Sequence, residues 1–202
     1  MSVFPPLFIR QLSVLILLSI ILSNSAIALE SIAIFASDNN LNVGKHIEWL
    51  EDPDGIISFD EVRQLDNNSF TPSEGHTFSK GYTSVSYWLR FELDFKEDSL
   101  NKKWLLEVPF PVLDYVSLYS PNGDGSYLIN QTGDRLPFKQ RDMDVTNFVF
   151  ILDPFPQKNV YFLHVRTQDS LQVPLTLWQQ EAYPKHNAIV AGWQGVYFGC
   201  ML

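Results

Sequence analysis

The sequence predicts an all-β protein: an antiparallel two-sheet sandwich of jelly-roll type, with one short helix. Three observations carry this. The 15 Phe, 8 Tyr and 5 Trp make aromatics 14% of the 202 residues, a composition that favours strands over helices. Short apolar stretches alternate with turns rich in Pro, Gly, Asn and Asp, as many-stranded antiparallel folds require. No repeated helical periodicity appears, and a helical solenoid or a βαβ fold would need it. With 46% apolar and 18% charged residues, the chain can bury a real core and is not a disordered acidic chain. Its length suits one domain with short extras.

Ser31 to Phe35 is the first candidate strand and His46 to Leu50 the second. Glu51-Asp52-Pro53-Asp54-Gly55 has turn chemistry, because Pro sets φ and Gly accepts a positive one. Ser58 stands three residues before Glu61, a capping box that opens a helix from Phe59 to about Leu65. Asp66, Asn67 and Asn68 then favour a turn. The clearest strand is Tyr87 to Phe95. Its odd positions are all apolar, while Trp88, Arg90, Glu92 and Asp94 form a mixed opposite face. Further strands are expected at 104–108, 112–120, 127–130, 147–152, 160–167 and 173–178, with a hairpin turn at Pro121-Asn122-Gly123-Asp124-Gly125. Asn147 to Leu152 is apolar on both faces and is expected at the centre of a sheet.

The two ends carry their own signals. Residues 1–28 have the anatomy of an export signal: Arg10, a short apolar run from Leu12 to Leu22, and the A-x-A site Ala26-Ile27-Ala28. That run is too short for the about 20 residues of a membrane span, although an uncleaved signal anchor is the alternative. From Ala188 onward no residue is charged, and Gly195 and Gly199 have the spacing of packed membrane helices. Residues 186–202 therefore read as the start of a first transmembrane helix, with a buried core helix as the alternative. The segment between, 29–185, reads as a periplasmic sandwich domain. The net charge of −9 and the lack of a Lys/Arg cluster disfavour nucleic acid as a partner. A single cysteine, Cys200, excludes an internal disulfide.

Trp49-Leu50-Glu51-Asp52-Pro53 with the segment 58–65, Gly81 and Tyr82 before Tyr87-Trp88-Leu89-Arg90-Phe91, and Gly133-Asp134 with Pro137-Phe138 and Arg141 follow one another in a recognisable order. The Phe-rich strand 148–152, Tyr161 to Arg166 and Pro174-Leu175 continue it. This order resembles the type-two extracellular domain of bacterial seven-transmembrane receptors with diverse intracellular signalling modules. The resemblance covers roughly 45 to 202, since Gly195 to Gly199 is similar to the start of the first membrane helix. It implies a jelly roll like carbohydrate-binding modules, a periplasmic ligand, and an output enzyme, such as a kinase or diguanylate cyclase, beyond this chain. The chain's own downstream membrane helices and neighbouring receptors are the implied partners.

No H-E-x-x-H, G-x-S-x-G, P-loop or G-x-G-x-x-G is present, so no catalytic residues are expected. The four histidines have no metal-ligand spacing, and no metal or cofactor is expected. The polar turns at 51–54 and 122–124 lack a complete EF-hand pattern; turn chemistry competes there with calcium binding. Binding fares better. Trp88 and Arg90 share the mixed face of one strand; His164 and Arg166 share a face of another, with Phe162. If the strands are neighbours, these side chains make a platform of rings and guanidinium groups for a carbohydrate or a small acidic ligand. Tyr115, Ser117 and Tyr119 would extend it, and Arg141 adds a cation on a rim loop. The competing reading buries Trp88 in the core and pairs Arg90 or Arg166 with Glu92 or Asp134. A protein-interaction module is the alternative function, because Trp, Tyr and Arg also dominate protein hot spots.

Overall fold

A computed structural model describes residues 29–184. Its spine is β6 (Ser86–Phe95), which follows the alternation in the sequence. Tyr87, Leu89, Phe91, Leu93 and Phe95 all enter one large core. On one edge β6 meets two strands end to end. β3 (Glu48–Asp52) pairs antiparallel with its first half, and β1 (Ser31–Ile34) pairs parallel with its second. On the other edge lies β11 (Gln157–Arg166), followed by β8 (Tyr115–Pro121) and β9 (Tyr127–Thr132). With the two-residue β4 (Thr71–Pro72) beside β3, this makes a seven-stranded sheet.

A four-stranded sheet faces it, in the order β10 (Phe148–Leu152), β7 (Trp104–Val108), β13 (Thr176–Gln179) and β2 (Asn40–Asn42). Trp104, Leu106, Val108, Phe148, Phe150 and Leu177 meet Leu89, Phe91, Val116, Leu118, Leu163 and Val165 in the shared core. A two-stranded ribbon of β5 (Thr77–Tyr82) and β12 (Ser170–Pro174) completes the fold. The protein is all-β, and the β1–β6 pair is its one parallel pairing among the described residues. Among the same residues no helix is long and apolar enough to cross a membrane. The expected export signal at 1–28 and membrane helix at 186–202 lie outside the described residues.

Two expectations about strands are corrected, and three strands were not foreseen. The strand at 147–152, expected to be central, is an edge strand. Its second apolar face exists because Val149 packs with Leu105 and Tyr183, joined by Met143, Val145 and Trp178, behind the four-stranded sheet. The single strand expected at 173–178 breaks after Pro174 and serves first the ribbon and then the four-stranded sheet. β2, β4 and β5 had no alternation to announce them, and their register comes from their neighbours.

The short helix α1 (Phe59–Val62) has the capping box read from the sequence. The Glu61 N–H donates to Ser58 Oγ at 3.3 Å, and the Ser58 N–H donates back to Glu61 Oε2 at 2.8 Å. The helix is shorter than expected and has an unexpected position. Val62 and Phe70 are buried against Trp88 and Phe162, so the segment 53–70 lies across the outer face of the large sheet. Burying each of those two side chains contributes about 1.5–3 kcal/mol. That burial opposes lifting of the cap.

Candidate functional site

The cap decides what the outer sheet face can do. Across that face the register sets Glu48 opposite Arg90 opposite Phe162, and Leu50 opposite Trp88 opposite His164. Ring packing above them is dense: Phe59 stacks on Tyr119 at 4.2 Å and meets Phe162 and Tyr127 edge-on. Trp88 is 2% exposed and Arg90 5%. Arg90 Nε and Nη2 donate to Glu48 Oε2 at 2.8 and 2.5 Å, and its guanidinium lies 3.8 Å from the centre of the Phe70 ring. Its partner is thus the acid directly across the strand pair, neither Glu92 nor Asp134. These two side chains line no open platform in this structure.

His164 is mostly buried. Its ring stacks on Trp88 at 4.4 Å, and Nε2 sits 4.0 Å from Asp52 Oδ2. Burial lowers its pKa; Asp52 opposes that shift and Arg166 adds to it. Asp52 itself accepts the N–H groups of Ile56 and Ile57 at 3.1 and 3.2 Å, which fixes the turn that starts the cap. In the other polar turn, Asp124 accepts both the N–H and the hydroxyl of Ser126. Both acids have turn duties, and no group of three or more metal-ligating side chains occurs among the described residues.

Arg141 is engaged within its own loop. Its Nη1 donates to the carbonyls of Val145 and Thr146 at 2.9 and 2.5 Å, and its guanidinium lies 4.6 and 4.8 Å from the Phe138 and Phe148 rings. It ties the 138–146 loop together.

Arg166, the last residue of β11, reaches the open. Its guanidinium sits 4.6 Å from the centre of the Tyr115 ring. Around it is a rim cleft of about 420 Å³, lined by Ser84, Asp114, Tyr115, Arg135, Arg166 and Gln168. Arg135 donates from Nε to Asp114 Oδ1 at 3.1 Å, and the Gln168 N–H donates to Asp114 Oδ2 at 3.0 Å. The hydrogen bond and charge of Asp114 raise the Arg135 pKa further. Gly133 makes this possible. Its φ is +153°, and a Cβ there would stand 2.1 Å from the Asp114 carbonyl oxygen. That close approach lets Arg135 N bond to Asp114 O and presents the side chain to the cleft. Sequence reasoning found Arg166 but missed Arg135, Asp114 and Gln168. The Gly-Asp-Arg run after a strand was the one local signal for Arg135.

A second hollow, of about 390 Å³, is bounded by Trp49, Phe78 and Lys80. The Lys80 ammonium already covers the Trp49 ring at 3.3 Å.

An all-β domain with a concave polar cleft at its strand ends has the geometry of a small-molecule binding site. The chain belongs to the 7TMR-DISM extracellular 2 family, whose model matches residues 44–179. It is a type-two extracellular sensor domain of seven-transmembrane receptors, a sensor family and not a catalytic one. No curated protein matches the chain as a relative.

Proposed function

We propose that this chain is the periplasmic ligand-binding sensor of a bacterial inner-membrane signalling receptor, folded as a jelly roll like carbohydrate-binding modules. Residues 1–28 direct export, 29–185 form the sensor, and 186–202 begin the first membrane helix. The ligand is a small polar molecule, a carbohydrate or a small acid. The rim cleft at Arg166 and Arg135 carries the reading, because it is concave, polar and built from three separate strand ends. Of the residues singled out from sequence, Arg166 contacts the ligand and His164 stands behind it. Trp88 and Arg90 hold the sheet face beneath the cap, and Arg141 shapes the 138–146 loop.

Signal output passes to the adjoining helices through the end of the domain. Tyr183 donates to Glu107 Oε1 at 3.2 Å, and Trp178 and Asn147 donate to the same carboxylate. This buried junction fastens the last described residues to the four-stranded sheet. A ligand shifts such a receptor only by binding one of its conformations better.

The test is a melting screen of the purified chain, followed by tryptophan fluorescence, against sugars and organic acids. A ligand of the folded state raises the melting temperature. A second reading, a protein-interaction module, is favoured by one observation. Leu128, Ile129 and Ile151 are 56%, 58% and 47% exposed around a small hollow between the β9 and β10 edges. Substituting Ile129 by Asp would abolish partner capture under that reading and leave small-ligand binding intact under the first.

A further inference from the structure

We infer that the rim cleft is an anion site that selects a carboxylate-bearing small molecule, with Arg166 as its uncompensated cation and Arg135 as a second hydrogen-bonding arm. This rests on the sensor reading above and narrows its ligand class. Charge accounting within the cleft leads to it. Asp114 is 5% exposed, and both of its oxygens are engaged, one by Arg135 Nε and the other by the Gln168 N–H. It neutralises Arg135. Among the described residues Arg166 has no carboxylate within ion-pairing distance; it meets a ring and not an acid. One positive charge is left in a concave site of a chain whose net charge is −9. Such a site attracts an anion that the rest of the surface repels.

Geometry favours a planar anion over a bare sugar. Tyr115 is the one ring in the cleft wall, and Arg166 lies over it, so the guanidinium competes with a pyranose for that ring face. The same contact sets the Arg166 guanidinium against the cleft wall. A pre-oriented guanidinium fork matches a carboxylate with two parallel hydrogen bonds. Arg135 offers its terminal nitrogens too, since Asp114 takes only Nε, and its side chain is 61% exposed. The exposed Asp134 also acts on Arg135, so Arg166 is the stronger arm. Ser84 and Gln168 add neutral hydrogen-bonding groups for the rest of the ligand.

The test compares galacturonate with galactose, which differ by one carboxylate, and adds succinate and sulfate. Binding to the purified full chain in neutral detergent is followed by melting temperature and by calorimetry, each at tens of millimolar ligand. Galacturonate or succinate should bind and galactose should not, with sulfate weaker than either carboxylate. Arg166→Gln should weaken carboxylate binding about tenfold to hundredfold, because it removes charge-assisted hydrogen bonds. Arg166→Lys should recover part of the loss. Lys139→Gln, which removes a cation elsewhere on the surface, should change nothing. Arg135→Gln strands the buried Asp114, so its binding is interpreted only alongside its own unliganded melting curve. Equal binding of galactose and galacturonate, abolished by Arg166→Gln, would overturn the anion preference and leave the sensor cleft standing. Failure of all four compounds to perturb the chain would overturn both.

Discussion

Arg90→Ala strands Glu48. The two carboxylate and guanidinium side chains are 8% and 7% exposed, paired at 2.5–2.8 Å across adjacent strands and roofed by the Phe70 ring. Removing the cation leaves a carboxylate with no compensating partner in a nearly dry site, and such a loss costs about 3–5 kcal/mol. The van der Waals and cation–π contact with Phe70 is lost with it, which loosens the end of the cap. In a domain of this size about 1 kcal/mol moves the melting temperature by about 2–4 °C, so the expected fall is about 6–20 °C. A double variant, Arg90→Leu with Glu48→Leu, should recover most of the loss, because no charge is then left buried. Thermal unfolding followed by circular dichroism at neutral pH measures both. A fall below about 2 °C for Arg90→Ala would mean the pair is not buried in solution. The cap would then be open, and the sheet face beneath it available to a ligand.

Three further outcomes follow from the same structure. His164 has its pKa lowered by burial below the unfolded value of 6.5, so the unfolded chain binds more protons in that interval. Its contribution to stability is therefore complete above 6.5 and is lost as pH falls through the window below it; relative to His164→Phe, the wild type should melt progressively lower between pH 7 and 5. Gly133→Ala forces a Cβ onto the Asp114 carbonyl and should cost on the order of 1–3 kcal/mol while abolishing binding in the rim cleft, measured by melting and calorimetry together. Tyr183→Phe removes one donor to the buried Glu107 and should cost about 1.5–3 kcal/mol, read from denaturant unfolding.

Much of the fold was legible because strand period and capping chemistry are local. The alternation of 86–95 marked the inner face correctly, and Ser58 with Glu61 placed the start of the helix. The burial of Trp88 and Arg90 was not legible. Period two tells which side chains share a face, but not whether another segment covers it. The cover comes from Phe59, Val62 and Phe70, and only Phe59 and Val62 sit at helical spacing that hints at an apolar side. The partner of Arg90 lies 42 residues away, and Asp114 is 21 residues from Arg135 and 54 from Gln168. Such pairings arise from sheet order, which no local pattern encodes. The strand at 148–152 misled for a related reason: one face lies in the core and Val149 is covered on the other, yet the strand stands at the edge of its sheet.

The central claim is that ligand recognition takes place at the rim cleft and not on the covered sheet face. Side-chain NMR tests it most directly, using the Nε–Hε signals of arginines and the Nε1–H signals of tryptophans in the presence of rising galacturonate. Arg166 and Arg135 should shift with a common saturation curve, while Arg90 and Trp88 stay in place. Shifts at Arg90 and Trp88 without any at Arg166 would contradict the account.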